Sequence, residues 1–143
     1  MGKYGLWVPE AIEKNGVSLS EHKNIEIREY ISDMDRCMAA ADVIVCRAGA
    51  STLSEIEALK KASILIPSPN VAENHQYHNA MALVNNNAAY IVEEKDLTPD
   101  KLTEMVNDLL ANKDKLAQTG KNAKEMAVLD ATDRIYNTLC ELV

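Results

Sequence analysis

A chain of 143 residues with 47% hydrophobic and 26% charged side chains fits one soluble domain with a core of ordinary size. A net charge of −7, with no basic cluster interleaved with aromatics, excludes a nucleic-acid groove. No apolar run approaches membrane-spanning length, and the amino end lacks the apolar segment of a signal peptide. Cys37, Cys46 and Cys140 are widely spaced in apolar contexts and read as reduced thiols, so a cytoplasmic protein is expected. Phe is absent and Trp occurs once, which leaves Leu, Ile, Val, Ala and Met to fill the core.

In chain order, Pro9 to Lys14 reads as a helix with Pro in its first turn, closed by Asn15-Gly16. Asn24 to Ile31 alternates Ile25 and Ile27 with Glu26 and Arg28, the pattern of a half-exposed strand near a sheet edge. A short helix, Met34 to Ala41, follows a cap at Ser32 or Asp33. Val43 to Cys46 reads as a strand buried on both faces, and it feeds a helix through Arg47-Ala48-Gly49. Ser63 to Pro67 is a second apolar strand, followed by a loop stiffened by Pro67 and Pro69. Asn74 to Val84 is helical, and Ala88 to Val92 is a fourth strand. Thr98 caps a helix with Pro99 at its first position and Leu102, Met105, Val106, Leu109 and Leu110 at helical spacing. Two helices finish the chain: Lys113 to Met126, with Gly120 as a weak point, and Ala131 to Leu142, capped by Asp130. Strands alternating with helices predict an α/β fold with a Rossmann-like parallel sheet.

The polar residues gather at the carboxyl ends of the predicted strands, where α/β proteins bind ligands. A helix beginning just after Gly49 offers backbone N–H groups and a partial positive charge to an anion. Arg47 can pair with phosphate oxygens, or it can cap carbonyls and bridge to a neighbouring acid. Gly49 permits a positive φ or close packing. Ser51 and Thr52 can donate hydroxyls, but Thr52-x-x-Glu55 also satisfies a capping box. On spacing alone the cap is the preferred role of Glu55, and a bidentate contact with ribose hydroxyls is the alternative. Glu73-Asn-His75-Gln76-Tyr-His78-Asn79 forms a second cluster suited to hydroxyl-rich ligands. His75 and His78 share a helical spacing, yet no Cys or acid array completes a metal site. Glu93-Glu94 reads as a solvated face.

Arg47-Ala-Gly-Ala-Ser-Thr52-x-x-Glu55, with Ile64-Leu-Ile-Pro-Ser-Pro69-Asn-Val-Ala-Glu-Asn-His-Gln76-x-x-Asn79-Ala80, resembles the carboxyl-terminal domain of the MurG-type transferases of glycosyltransferase family 28. The resemblance runs from Gly2-Lys-Tyr-Gly through Tyr30-Ile-Ser-Asp-Met34 to the last helices. It implies the UDP-sugar-binding half of a GT-B fold. It also implies an inverting transfer of N-acetylglucosamine from UDP-N-acetylglucosamine to undecaprenyl-linked lipid I, giving lipid II for peptidoglycan. Residue by residue, Ile31 would meet uracil, with Met34 beside it. Arg47 and Gly49 would belong to the nucleotide pocket. Ala50, Ser51 and Thr52 would face the diphosphate, Glu55 would take the ribose hydroxyls, and Gln76 with His75 would contact the sugar. No cofactor and no metal is implied, and no catalytic base is expected within these residues.

The family's Gly-Gly-Ser phosphate loop, its strand and the amino-terminal acceptor domain would lie upstream of Met1. The chain is thus expected to be a single truncated domain, inactive alone, and its full-length counterpart to work at the inner face of the plasma membrane. The family's usual Gly-x-Pro stands here as Lys60-Lys61-Ala62. Missing strands would leave an open edge beside Val43–Cys46, filled by the 24–31 strand or by a second copy. The alternative function is a non-catalytic nucleotide-sugar-binding subunit of a split transferase with a membrane-bound partner.

Overall fold

The computed structural model describes residues 7–142, so the Gly2–Gly5 part of the resemblance lies outside the described residues. The chain divides into two compact units, Met1–Asp35 and Arg36–Val143.

In the first unit, α1 (Trp7–Lys14) ends as the sequence requires. Gly16 takes a φ of +82°, and the Gly16 and Val17 amides return to the carbonyls of Glu13 and Ile12, a Schellman closure. Residues 24–31 are not a strand. Their alternation is real, but among the described residues no ladder pairs with them, and an isolated strand leaves half its backbone groups without a partner. Ile25 is accordingly exposed, and the segment is braced by side chains, with Arg28 reaching Glu26 at 2.6 Å and Asp33 at 3.2 Å. Among the described residues the sheet holds no strand from this segment, contrary to the expected re-pairing beside Val43–Cys46.

The second unit is a three-stranded parallel sheet in the order β1 (Val43–Cys46), β2 (Ala62–Leu65), β3 (Tyr90–Ile91). Register pairs Val43 with Ala62, Cys46 with Leu65 and Ile64 with Tyr90. Among the described residues three strands are found where four were expected. β2 is central and buried at all four positions. β1 lies at the edge, so it is half-buried rather than buried on both faces, and Val45 is exposed. The helices are α2 (Met34–Ala40, which begins in the first unit), α3 (Ala50–Ala58), α4 (His75–Asn85), α5 (Pro99–Ala111), α6 (Lys113–Met126) and α7 (Ala131–Glu141).

Strand alternation divides the core into two layers. Leu65 joins Met38, Leu53, Ile56, Leu83 and Ala123 on one face, while Ile64 joins Val92 and Leu109 on the other, with Leu102, Met105 and Val106 packed around them. The result is the expected Rossmann-like arrangement of a parallel sheet between helices. Thr98 caps α5 as expected, accepting from the Lys101 amide at 3.2 Å. Asp130 sits at the α7 N-cap but makes no capping bond; its carboxylate turns to Arg134 at 2.9 Å. Every side chain of α7 is exposed, including Ile135, Tyr136 and Leu139.

Gly120 is not a weak point but a requirement. A Cβ there would press into the carbonyl oxygen of Lys60 and come within 3.1 Å of its carbon. Lys60 itself has a φ of +58°, and the Lys60 and Lys61 amides bond back to Glu57 and Ile56. This is the same Schellman closure as at Gly16, made here with lysine in the left-handed position. Lys124 Nζ caps the Ala58 carbonyl at 2.8 Å.

Candidate functional site

β1 ends at Cys46, and α3 begins four residues later, so the intervening turn lies at the carboxyl edge of the sheet. Gly49 is the N-cap of α3, with φ −72° and ψ 139°, and a Cβ added to it would meet nothing within 4 Å. Neither a positive φ nor close packing explains this glycine. Open space in front of it does not exclude any other side chain either, but it leaves the approach to the helix end clear.

The capping-box reading of Thr52 and Glu55 fails. α3 starts at Ala50, which places Thr52 inside the first turn and Glu55 in the second, and no side chain caps the helix. Among the described residues, the amides of Ala50, Ser51 and Thr52 have no acceptor, as the first turn of an uncapped helix requires. Ser51 and Glu55, four apart, share one helix face, and both are exposed.

Arg47 ties three strand ends together. Its Nη1 donates to the carbonyls of Ile66 at 3.2 Å and Pro67 at 3.3 Å, beyond β2, and to Glu94 Oε2 at 2.6 Å, beyond β3. Glu94, read from sequence as part of a solvated face, is thus joined to the site. The only available signal was its position just after a strand, at the same sheet edge.

The second cluster opens α4. Glu73 and Asn74 both have positive φ, 52° and 51°, so the chain turns sharply into the helix. His75 Nδ1 lies 2.9 Å from the Ala72 carbonyl. A carbonyl only accepts, so Nδ1 is the donor of this bond. Gln76 Oε1 accepts from the Ser68 amide at 2.9 Å, leaving its NH2 group to donate elsewhere. Asn79 Nδ2 donates to the Ala48 carbonyl at 3.3 Å, joining α4 to the turn before α3. Arg47, Gly49, Ala50, Ser51, Thr52, Glu55, His75 and Gln76 therefore belong to one unit, around one sheet edge. Ile31, half-buried, and Met34, exposed, belong to the first unit.

A cleft of about 320 Å³ is lined by Glu94, the partner of Arg47, together with Pro67, Pro69, Asn74, Tyr77, Glu93 and Lys95. Glu93 bonds Lys95 at 3.2 Å and holds the ammonium above its usual range. Burial pushes the Cys46 thiol up, which keeps it protonated at the end of β1. Among the described residues, no group of three His, Cys, Asp or Glu is placed to hold a metal ion, and no helix is long and apolar enough to cross a membrane.

This geometry can be set against known proteins. A transferase of Acetivibrio thermocellus, named as the UDP-N-acetylglucosamine–N-acetylmuramyl-(pentapeptide) pyrophosphoryl-undecaprenol N-acetylglucosamine transferase, is 51% identical over the whole chain, which covers 40% of it. The enzyme of the same name from Desulforamulus reducens is 41% identical over 88% of the chain, which covers 34% of it. The crystal structure of Acinetobacter baumannii MurG superposes with a TM-score of 0.75 at 30% identity, over 82% of this chain and 33% of that one. The chain spans about two fifths or less of the length of these relatives. Residues 5–135 match the glycosyltransferase family 28 C-terminal domain, and the chain belongs to that family.

Proposed function

We propose that the chain is the UDP-N-acetylglucosamine-binding part of an inverting N-acetylglucosaminyltransferase that converts lipid I to lipid II in peptidoglycan synthesis. It works with an amino-terminal acceptor domain, peripherally bound at the inner face of the plasma membrane. The observation that carries this reading is the uncapped, unobstructed start of α3 at the carboxyl edge of the sheet, in a chain of this family.

The acceptor hydroxyl attacks the anomeric carbon, the glycosidic bond to the diphosphate breaks, and UDP leaves. The negative charge on the leaving diphosphate falls at the amides of Ala50, Ser51 and Thr52, whose dipoles are already oriented. Glu55 accepts from the ribose hydroxyls, on the same helix face as Ser51. The Gln76 NH2 group and His75 Nε2 supply one donor and one acceptor to the sugar hydroxyls. Ile31 and Met34 flank the uracil. The base that takes the acceptor proton comes from outside these residues, so the isolated chain binds donor without turning it over. A homodimer through the open edge of β1 is a further expectation for the isolated chain, read by light scattering.

The experiment is calorimetric titration of the chain with UDP-N-acetylglucosamine and UDP-glucose, repeated on Glu55→Ala. Preference for the first ligand is expected, with affinity reduced about tenfold or more in the variant, the loss of one bond to a charged acceptor. Equal affinity for both sugars, or an unaffected variant, refutes the assigned roles.

A further inference from the structure

We propose that Glu94 is a positioning residue for Arg47, holding the guanidinium by one nitrogen so that its opposite edge faces the diphosphate of a bound nucleotide sugar. This rests on the nucleotide-sugar reading above and adds to it a residue outside the family motif.

Nη1 of Arg47 carries two hydrogens and has three acceptors around it: the Ile66 and Pro67 carbonyls and Glu94 Oε2. It has no capacity left. Nε and Nη2 carry three hydrogens and, among the described residues, have no acceptor. The Arg47 side chain is 52% exposed, so the guanidinium is within reach of solvent and ligands. These two nitrogens form the side-on fork that takes two oxygens of a phosphate at once. Arg47 stands two residues before the α3 N-cap, so the fork and the uncapped amides lie at the same sheet edge.

The ion pair is too exposed to act mainly through stability, since pairs of this kind contribute little in water. Its effect is directional. Two carbonyls alone would leave the guanidinium free to swing about its long side chain, and Glu94 supplies the third, charged contact at 2.6 Å. The two carbonyl contacts tie residues 66 and 67, at the root of the loop that meets Gln76 through Ser68, to the same guanidinium.

A competing role would invert the outcome. If Glu94 withheld Arg47 from anions, removing it would strengthen anion binding, and the loss of a negative charge near the site would push the same way. Positioning predicts weakening despite that charge change.

The test compares Glu94→Ala, Glu94→Gln and Arg47→Ala in the full chain, titrated with UDP-N-acetylglucosamine, UDP and uridine. In parallel, nitrogen NMR of the Arg47 guanidinium reports its rotation without any ligand. Expected are hindered rotation in the wild type, lost in Glu94→Ala, and about fivefold weaker binding of UDP and UDP-N-acetylglucosamine in that variant. Uridine affinity should not change. Glu94→Gln, which keeps the acceptor oxygen, should restore most of the affinity, and Glu94→Ala should add nothing to Arg47→Ala. Tighter UDP binding in Glu94→Ala, equal loss for uridine, or a freely rotating wild-type guanidinium overturns the proposal. A wild-type chain with a held guanidinium that binds none of the three ligands overturns the nucleotide-sugar reading, and with it the role given to the free edge.

Discussion

Gly120→Ala sets two effects against each other, and their sizes decide the sign. Alanine is better than glycine inside a helix by about 1 kcal/mol, so α6 taken alone would gain. The added Cβ, however, would press into the Lys60 carbonyl oxygen and lie 3.1 Å from its carbon and 3.6 Å from the Ala62 nitrogen. Those are backbone atoms, and they are held. The Lys60 and Lys61 amides are bonded to Glu57 and Ile56, Lys124 grips Ala58, and Lys61 Nζ reaches the carbonyls of Ala39 at 2.6 Å and Ala41 at 2.9 Å. Overpacking against a fixed neighbour costs up to about 3 kcal/mol. The net expectation is a loss of about 2 kcal/mol, read as a lower urea midpoint at unchanged slope. A variant as stable as wild type, or stabilised by the helical gain, would show that α6 does not bear on the Lys60 turn.

Three further outcomes follow from the same structure. Lys60→Gly relieves a left-handed residue and should stabilise the chain by about 1 kcal/mol in the same urea assay; a loss would mean that the lysine side chain matters more than its backbone. Ser63 is fully buried in β2 and, among the described residues, its hydroxyl has no partner, so Ser63→Ala should raise stability by up to about 1 kcal/mol, and destabilisation would point to a partner for that oxygen. Burial raises the Glu57 carboxyl above its ordinary 4.5, so the folded chain binds more protons than the unfolded one just above that pH. Stability therefore falls as pH rises through that window, and Glu57→Gln should flatten the slope in denaturation series across it.

Elements whose neighbours are close in sequence were legible; those whose neighbours are distant were not. β2 could be read from the apolar run around Ile64 and Leu65, and α5 from Thr98, Pro99 and a run of helical spacing, because each pattern is complete in itself. Residues 24–31 carry a strand's alternation, but alternation is only permission to pair, and no ladder meets it. Thr52-x-x-Glu55 has the spacing of a capping box, yet the helix had already begun at Ala50 because the turn ends at Gly49. Asp130 had the right type for a cap, and a cation four residues on outcompeted the amides. At the site, the residue types around the helix start were readable from the motif. The Arg47–Glu94 contact spans 47 positions and depends on three strand ends meeting, which no local spacing encodes.

The exposure of α7 has a spectroscopic consequence. Among the described residues none of the side chains of this eleven-residue helix is buried, so little packing holds it, and helices shorter than roughly 12–15 residues are marginal in water. It should fray with rising temperature independently of the sheet. Far-ultraviolet dichroism would then fall along a slope before the main transition, while a probe of the buried layers stays flat. A two-state fit to the dichroism alone would assign that slope to the core and return too small an unfolding enthalpy.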